Sequence, residues 1–560
     1  MQNLRIRLVL AILSLVIVVG KPTAAQERTV GLFINEESAF DGYTLLAPHQ
    51  HPSTYLLDMN GEQVNMWEHE FNVGSTTRLL ENGNLLRASR AATGWTSGGG
   101  RGGRIEELDW NGDIVWEFEY HDSLYSLHHD ILKLENGNVL TTVWDVKNQE
   151  ELEANGFDLT ALTDTVVWTE RIVEFKPILP DSAEIVWEWR AWDHLVQDFD
   201  ATKSNYGVIS EHPELIDINT GDGFSWLHFN AIDYNPDFDH IIISSSMFSE
   251  LWVIDHDLTT EEAAGFDGDL LYRWGNPEMY DLGSPEDRQL FFNHSTDWLE
   301  PELADRGTAM IFDNGRDRPD SQYSTVYEFI LPFTEDYDGE IFYDMELDGT
   351  FSPVEIVWSY SDPGVFYSNF ISGQQRLPNG HTLIAEGMKG RIFEVTPEGD
   401  IVWEYVNPVV RSGPLAWNEE IPPFSPGNER QQNTVFRAYR YASDYPGLEG
   451  QDLTPKGPVE RMSTPIEGVD EAPRGFALHQ NWPNPFNSST SISFSIPQRS
   501  RVRLTIYNAI GQQVTVLADG LRDPGTHHIR FDARALPSGI YFYRLETDPF
   551  SKTRSLLLVR

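Results

Sequence analysis

The chain has 560 residues, with 40 basic against 87 acidic side chains, a formal charge of −47, and no cysteine. The charge argues against a nucleic-acid partner or an anionic membrane surface, although small anions can still be held locally, and the missing thiols exclude disulfides, thiolate metal sites and a cysteine nucleophile. With 17 Trp, 21 Tyr and 30 Phe there is ample apolar surface to fold, and the length calls for one large domain and one or more small ones.

The chain opens on "MQNLRIRLVLAILSLVIVVGKPTAAQ". Arg5 and Arg7 precede an apolar run from Leu8 to Val19 that is short for a bilayer, and Thr23-Ala24-Ala25 suits a signal peptidase. Residues 1–25 are therefore expected to be a cleaved export signal. No other stretch approaches membrane length, so no transmembrane segment is expected in the mature protein.

From residue 26 to 450 one unit recurs, a turn followed by a short apolar strand ending in tryptophan: "NGEQVNMW" at Trp67, "NGDIVW" at Trp116, "SAEIVW" at Trp187, "GDLLYRW" at Trp274, "PVEIVW" at Trp358 and "EGDIVW" at Trp403. Between several of them lies an apolar segment broken by Asn-Gly, as in "RLLENGNLL", "ILKLENGNVL" and "QRLPNGHTLI". Asn-Gly between β-rich runs signals a hairpin, both turn residues being expected at positive φ. Helical periodicity is almost absent. Strands repeating at intervals of roughly 45 to 85 residues between the tryptophans predict an all-β fold, a six-bladed β-propeller, over an array of β-sandwiches with its more regular, shorter spacing.

Histidines stand close to these units: His128 and His129 in "SLHHDILKLENGNVL", His228 in "WLHFNAIDY" and His294 in "FFNHSTDWL". Taken alone, His294 reads as a polar residue at a strand end, and His228 as a core histidine bonding backbone. A propeller, however, brings the inner strands of separate blades to one central channel. Asn230, two residues after His228, is expected on the same strand face. His381 follows a turn, and "DFDH" and "FDNGRDRPD" lack full calcium-ligand spacing, so surface loops are expected there. No zinc motif, Gly-rich phosphate loop or nucleophile elbow occurs, and neither a metal nor a separate organic cofactor is expected.

Residues 451–472, rich in Pro, Gly and charge, read as a linker. Beyond them, residues 473–560 alternate apolar and polar positions between Gly and Pro turns, as in "VRLTIYNAIGQQVTVL", and predict a small immunoglobulin-like β-sandwich.

The segments "LHQNWPNPFNSSTSISFSI", "LTIYNAIGQQV", "LPSGIYFYRLE" and the closing "RSLLLVR" resemble the type A C-terminal sorting domain of the type IX secretion system. That resemblance implies passage through the periplasm and across the outer membrane, secretion or surface attachment, and the type IX machinery as a partner.

The preceding region is similar to the arylsulfotransferase family, on "SLHHDILKLENGNVL", "WLHFNAIDYNPDFDHIIISS", "YRWGNP", "FFNHSTDWL" with "MIFDNG", and "QQRLPNGHTLIAEGMKGRIFEVTPEGDIVWEY". The resemblance implies a six-bladed propeller that moves a sulfuryl group from a phenolic sulfate ester to a phenolic acceptor. It puts the sulfated nucleophile on His294, the His and Asn of the motif H-x-N-x-I-D-Y on His228 and Asn230, and the earlier histidine on His129, with His128 as its rival. Asn314 and Arg316 of "FDNGR" are expected beside the substrate. The family's arginine after "IIISS" meets Ser246, Met247 and Phe248 here. Either Arg273, Arg316 or Arg376 supplies that charge from a neighbouring blade, or the donor is not a typical aryl sulfate. A propeller that only binds, and a hydrolase or lyase acting on an anionic ester, remain as alternatives.

Overall fold

The computed structural model describes residues 28–462 and 476–559, apart from 92–98, 163, 221–224, 302, 338, 426–427, 429, 479, 482–483, 487–488, 523–524, 535 and 548–549. The expected signal peptide lies outside the described residues. The chain divides into two compact units, Met1–Ser463 and Thr464–Arg560.

In the first unit, six antiparallel sheets each have one of these strands at an edge: Val73–Leu79, Tyr125–Lys133, Phe229–Asn235, His294–Trp298, Gly373–Arg376 and Val435–Ala442. These six strands contact one another in that order, and the last contacts the first. The result is a closed, propeller-like ring. Val435–Ala442 pairs with Gly42–Pro48, so one sheet is completed from both ends of the unit and the ring is closed there.

The tryptophan repeat has a structural reason. Each of the six lies in the fourth strand of its sheet, counted from the ring. Five indoles donate Nε1–H to a backbone carbonyl of the next sheet or of the turn that serves it: Trp67 to Asp109, Trp116 to Ser182, Trp187 to Leu258, Trp358 to Pro397 and Trp403 to Met59. Trp274 instead donates to the side chain of Gln289. A large apolar ring with one donor both fills the gap between sheets and fixes their register. Trp403 is fully buried, stacks on Tyr405, and lies 4.3 Å under the Arg440 guanidinium. Trp403→Ala is expected to cost about 3–5 kcal/mol, read from urea unfolding of the full chain. The more accessible Trp358→Ala should cost less.

The Asn-Gly turns differ from the expected geometry. Only the glycine of each pair, Gly83, Gly137 and Gly380, takes positive φ. Gly83 N–H donates to Leu80 O and Leu80 N–H to Asn84 O, while the Asn82 side chain accepts from Asn84 N. Asparagine works through its side chain and glycine through its backbone.

Residues 451–462, expected as the start of a linker, are instead held on the first unit. Val459 and Glu460 are buried, Lys456 N donates to Gln63 O, and Glu460 pairs with Arg28 at 3.0 Å. Residues 463–472 lie outside the described residues.

The second unit has two antiparallel sheets, one of Ala477–Leu478, Ser489–Ile496 and Gly525–Asp532, the other of Ser500–Asn508, Gln513–Arg522, Gly539–Glu546 and Ser551–Leu558. Alternate residues such as Tyr541, Tyr543 and Leu545 point into a core shared with Phe494, Ile506 and Phe531.

Candidate active site

Three adjoining ring strands carry the histidines that the sequence singled out. His128 and His129 lie in Tyr125–Lys133, His228 immediately precedes Phe229–Asn235, and His294 begins His294–Trp298. The backbone is locally irregular in all three. His129, His228 and Ser295 have φ of 43°, 55° and 48°, and the pairing register shifts beside each. Of the ten described non-glycine residues with positive φ, six lie in or just before ring strands: these three with Phe292, Ile371 and Ser372. Left-handed backbone at β-branched and bulky residues is strained, and bulges re-aim side chains out of strict alternation. Across His228 and Asn230 the strict alternation is interrupted: His228 is left-handed, and the pairing runs from Phe229 to Ala231 and skips Asn230.

The rings converge. The His129 and His228 centroids are 4.6 Å apart at 74°, and His294 is near enough for His228 to act on its charge. In each ring Nδ1 is engaged: His129 with His128 Nδ1 at 2.7 Å, His228 with Ser225 Oγ at 2.8 Å, and His294 with Asn314 Oδ1 at 2.7 Å. Asn314 donates from Nδ2 to the carbonyls of Ser368 and Ile371. Its Oδ1 must therefore accept, so His294 carries its hydrogen on Nδ1 and keeps a lone pair on Nε2. Asn314, expected beside the substrate, stands behind the nucleophile candidate and orients it.

Behind His129 runs a buried relay. His128 stacks on Trp144 at 4.4 Å, and its Nε2 lies 2.6 Å from Glu170 Oε2. With Glu170 ionised, His128 donates to it and accepts from His129 Nδ1–H, leaving a lone pair on His129 Nε2. With Glu170 protonated both bonds reverse, and His129 Nε2 carries the hydrogen. No imidazolium is needed in either state. Glu170 is pushed well above the usual carboxyl range, first by burial.

Burial also decides the charge of the histidines. His294 is pushed down to about 3, by burial and then by His228, and His228 to about 4 by burial. His128 and His129 lie well below 6.5, both by burial first and then by His228, with Arg437 among the further causes for His129. All four are neutral at pH 7. A histidine whose folded value is depressed adds stability that is complete above 6.5 and is lost as the pH falls through the folded value. The melting temperature of the full chain is therefore expected to fall between pH 6.5 and 4, and to fall less in His228→Asn/His294→Gln, as differential scanning calorimetry would read.

Arg437, from the strand that closes the ring, brings positive charge to the group. Its guanidinium donates to Asp130 Oδ2 at 2.8 Å and to Asn230 O at 2.9 Å, and it lowers His129 and His294. Of the arginines considered from sequence, Arg273 is buried against Glu250 with bonds to Pro213 O and Leu215 O, which corrects its expected place beside the substrate. Arg376 pairs with Glu328. Arg316 is half exposed and covers Phe292, whose ring is 5.7 Å from His294, so it lies at the rim. Asn230 donates to Asn293 O, and its Oδ1 has no hydrogen-bond partner among the described residues.

Glu170, Arg437 and Ser225 were not singled out in the sequence. Arg437 shares "NTVFRAYRY" with Arg440, and Glu170 shares "VVWTERIVEF" with Arg171 and Glu174, so neither charge stands out from its neighbours in the sequence. Gly100 has φ +62°, and a Cβ there would overlap the His129 imidazole, so only glycine lets this backbone close over the ring. Among the described residues no group of three or more His, Asp or Glu could hold a metal ion, and no helix is long and apolar enough to cross a membrane.

Residues 30–405 match the family described as Arylsulfotransferase (ASST), and residues 480–559 match the Secretion system C-terminal sorting domain. No curated protein matches. Among solved structures, similarity is found to a protein of unknown function from Bacteroides caccae (13% identity, 65% of this chain and 93% of that one, TM-score 0.35). It is also found to a virginiamycin B lyase from Staphylococcus aureus (11%, 70% and 88%, 0.32) and to a periplasmic gluconolactonase from Pseudomonas aeruginosa (10%, 65% and 96%, 0.31).

Proposed function

Because the chain belongs to the arylsulfotransferase family, we propose that it is an exported sulfotransferase, a six-bladed propeller passing a sulfuryl group between phenols through a covalent sulfohistidine at His294. The type IX sorting domain marks it for secretion or the cell surface, and an immunoglobulin-like sandwich is the reading we favour for that unit. The observation that carries the chemistry is the fixed tautomer of His294, with Nδ1–H on Asn314 and the lone pair on Nε2.

Sulfuryl transfer, like phosphoryl transfer, needs an in-line nucleophile and stabilisation of an anionic moving group more than it needs covalent machinery. His294 Nε2 gives its lone pair to sulfur and the S–O bond of the aryl ester breaks. Asn314 Oδ1, accepting from Nδ1–H, stabilises the positive charge that develops on the ring. The departing phenolate receives the hydrogen of His129 Nε2, the relay shifts, and Glu170 is left ionised. An incoming phenol then returns a proton to His129 as its oxygen attacks sulfur and the S–N bond breaks. One proton is lent to the first phenol and recovered from the second, and donor and acceptor use one site in turn. Arg437 and His228 are assigned to the sulfuryl oxygens, Arg437 replacing the arginine that Ser246 displaces.

The test is mass spectrometry of the purified chain after incubation with 4-nitrophenyl sulfate and no acceptor. A gain of one sulfuryl group on the His294 peptide supports the reading. A folded protein that gains no label on any residue overturns it.

A further inference from the structure

Many arginines of this acidic chain are matched to a carboxylate, as Arg87 is to Glu106, Arg171 to Glu188, Arg391 to Glu404 and Arg440 to Glu394. Four arginines at one place are not. Arg90, Arg101, Arg411 and Arg430 gather around His49 and Gln50, and none is ion-paired among the described residues. Arg90 donates to His49 O at 3.1 Å, Arg430 Nη2 lies 3.5 Å from His49 Nδ1, and Arg411 donates to Gln50 Oε1 at 3.1 Å. Arg411 and Arg430 both lie over the ring of Phe424, and Arg430 also covers Phe370. Arg90 is held down to about 10, by burial first and then by Arg101, Arg430, Arg411 and Arg87, and Arg430 is lowered by burial and then by Arg411.

The cluster adjoins the histidines. Arg101 forms a β-bridge with His128, and the preceding Gly100 closes over His129. His49 N–H donates to Thr434 O, two residues before Phe436, whose ring is 5.9 Å from His129. Phe370, under Arg430, precedes Ile371, whose carbonyl holds Asn314. Like charges held together without a paired carboxylate among the described residues cost stability, and guanidiniums match carboxylate and sulfate in a bidentate way. We infer that this cluster is a second anion subsite, and that the phenolic substrates carry a further carboxylate or sulfate on the aromatic ring or on a short arm from it. Arg411 and Arg101 are exposed and meet that group first, with Phe370 and Phe424, under Arg430, supplying aromatic surface beside them.

This rests on the sulfotransferase reading, so the test has a binding arm that does not. The full chain is compared with 4-(carboxymethyl)phenyl sulfate and with its neutral match, 4-ethylphenyl sulfate, by calorimetric Kd and by kcat/KM. The carboxylate is expected to be favoured by about tenfold or more in both, with the ratio collapsing in Arg411→Gln and in Arg411→Gln/Arg430→Gln. Arg501→Gln, an exposed arginine of the second unit, should keep the ratio. Equal Kd for the two esters overturns the subsite, whether or not either is turned over. A carboxylate preference in Kd that is lost in Arg411→Gln, with no turnover of either ester, upholds the subsite and strikes the sulfotransferase reading instead.

Discussion

His294→Ala is expected to lose the covalent sulfuryl label completely and to reduce turnover of 4-nitrophenyl sulfate with a phenol acceptor on the order of 10⁴-fold or more, since the attacking lone pair is removed. Asn314→Ala should be distinguishable from it. That variant keeps the nucleophile and loses only the bond that fixes the hydrogen on Nδ1, so the label should still form, slowly, and its rate rather than its yield should fall. If His294→Ala retained label on a neighbouring ring, the nucleophile would be His228 or His129. The pH dependence offers a second discriminant. Burial and His228 hold His294 down to about 3, so its lone pair is available throughout the range from pH 8 to 5, and labelling should not decline with the pKa near 6.5 of a free imidazole. A decline centred at 6.5 would point to an exposed histidine.

What was legible in the sequence, and what was not, follows from how each feature is encoded. The tryptophan units are local: a turn, alternate apolar residues and one indole, repeated, and each marks the fourth strand of a sheet. His228 and His294 could be found because a motif surrounds them, and the three histidine segments adjoin because a ring of strands brings distant residues together. The backbone geometry was hidden. Period-two alternation placed His228 and Asn230 on one face, but positive φ at His228 and a shift in register break that alternation at the residues of interest. The arginine was hidden for a topological reason. Ser246, Met247 and Phe248 stand where the family has its cation, and nothing local in "TVFRAYRY" says that a strand some 190 residues later closes the ring beside His228, since only the pairing of Val435–Ala442 with Gly42–Pro48 brings Arg437 there. Arg273 misled because it lies within a family-like segment, "YRWGNP", yet its partner Glu250 is on the paired strand of the same sheet and holds it away from the ring.

Glu170→Gln should separate the proton relay from mere packing. Glutamine preserves the acceptor for Phe229 N–H, which Glu170 Oε1 now receives at 3.2 Å, and its amide can still donate to His128 Nε2. What it cannot do is give up or take a proton at that position. The variant is therefore locked with the hydrogen on His129 Nε2, and that hydrogen can no longer be replaced from behind once it is transferred. Donors whose phenolate leaves without protonation should be nearly indifferent to the change. 4-Nitrophenyl sulfate is the case to use. With phenyl sulfate, whose leaving oxygen is far more basic, the rate of His294 labelling should drop by about 10²-fold, within the usual range for a lost general acid. The slope of log rate against leaving-group basicity should therefore steepen in Glu170→Gln. A variant that loses the same factor with both donors would mean that Glu170 only holds His128 and His129 in place against Trp144, and that the proton reaches the phenolate by another route.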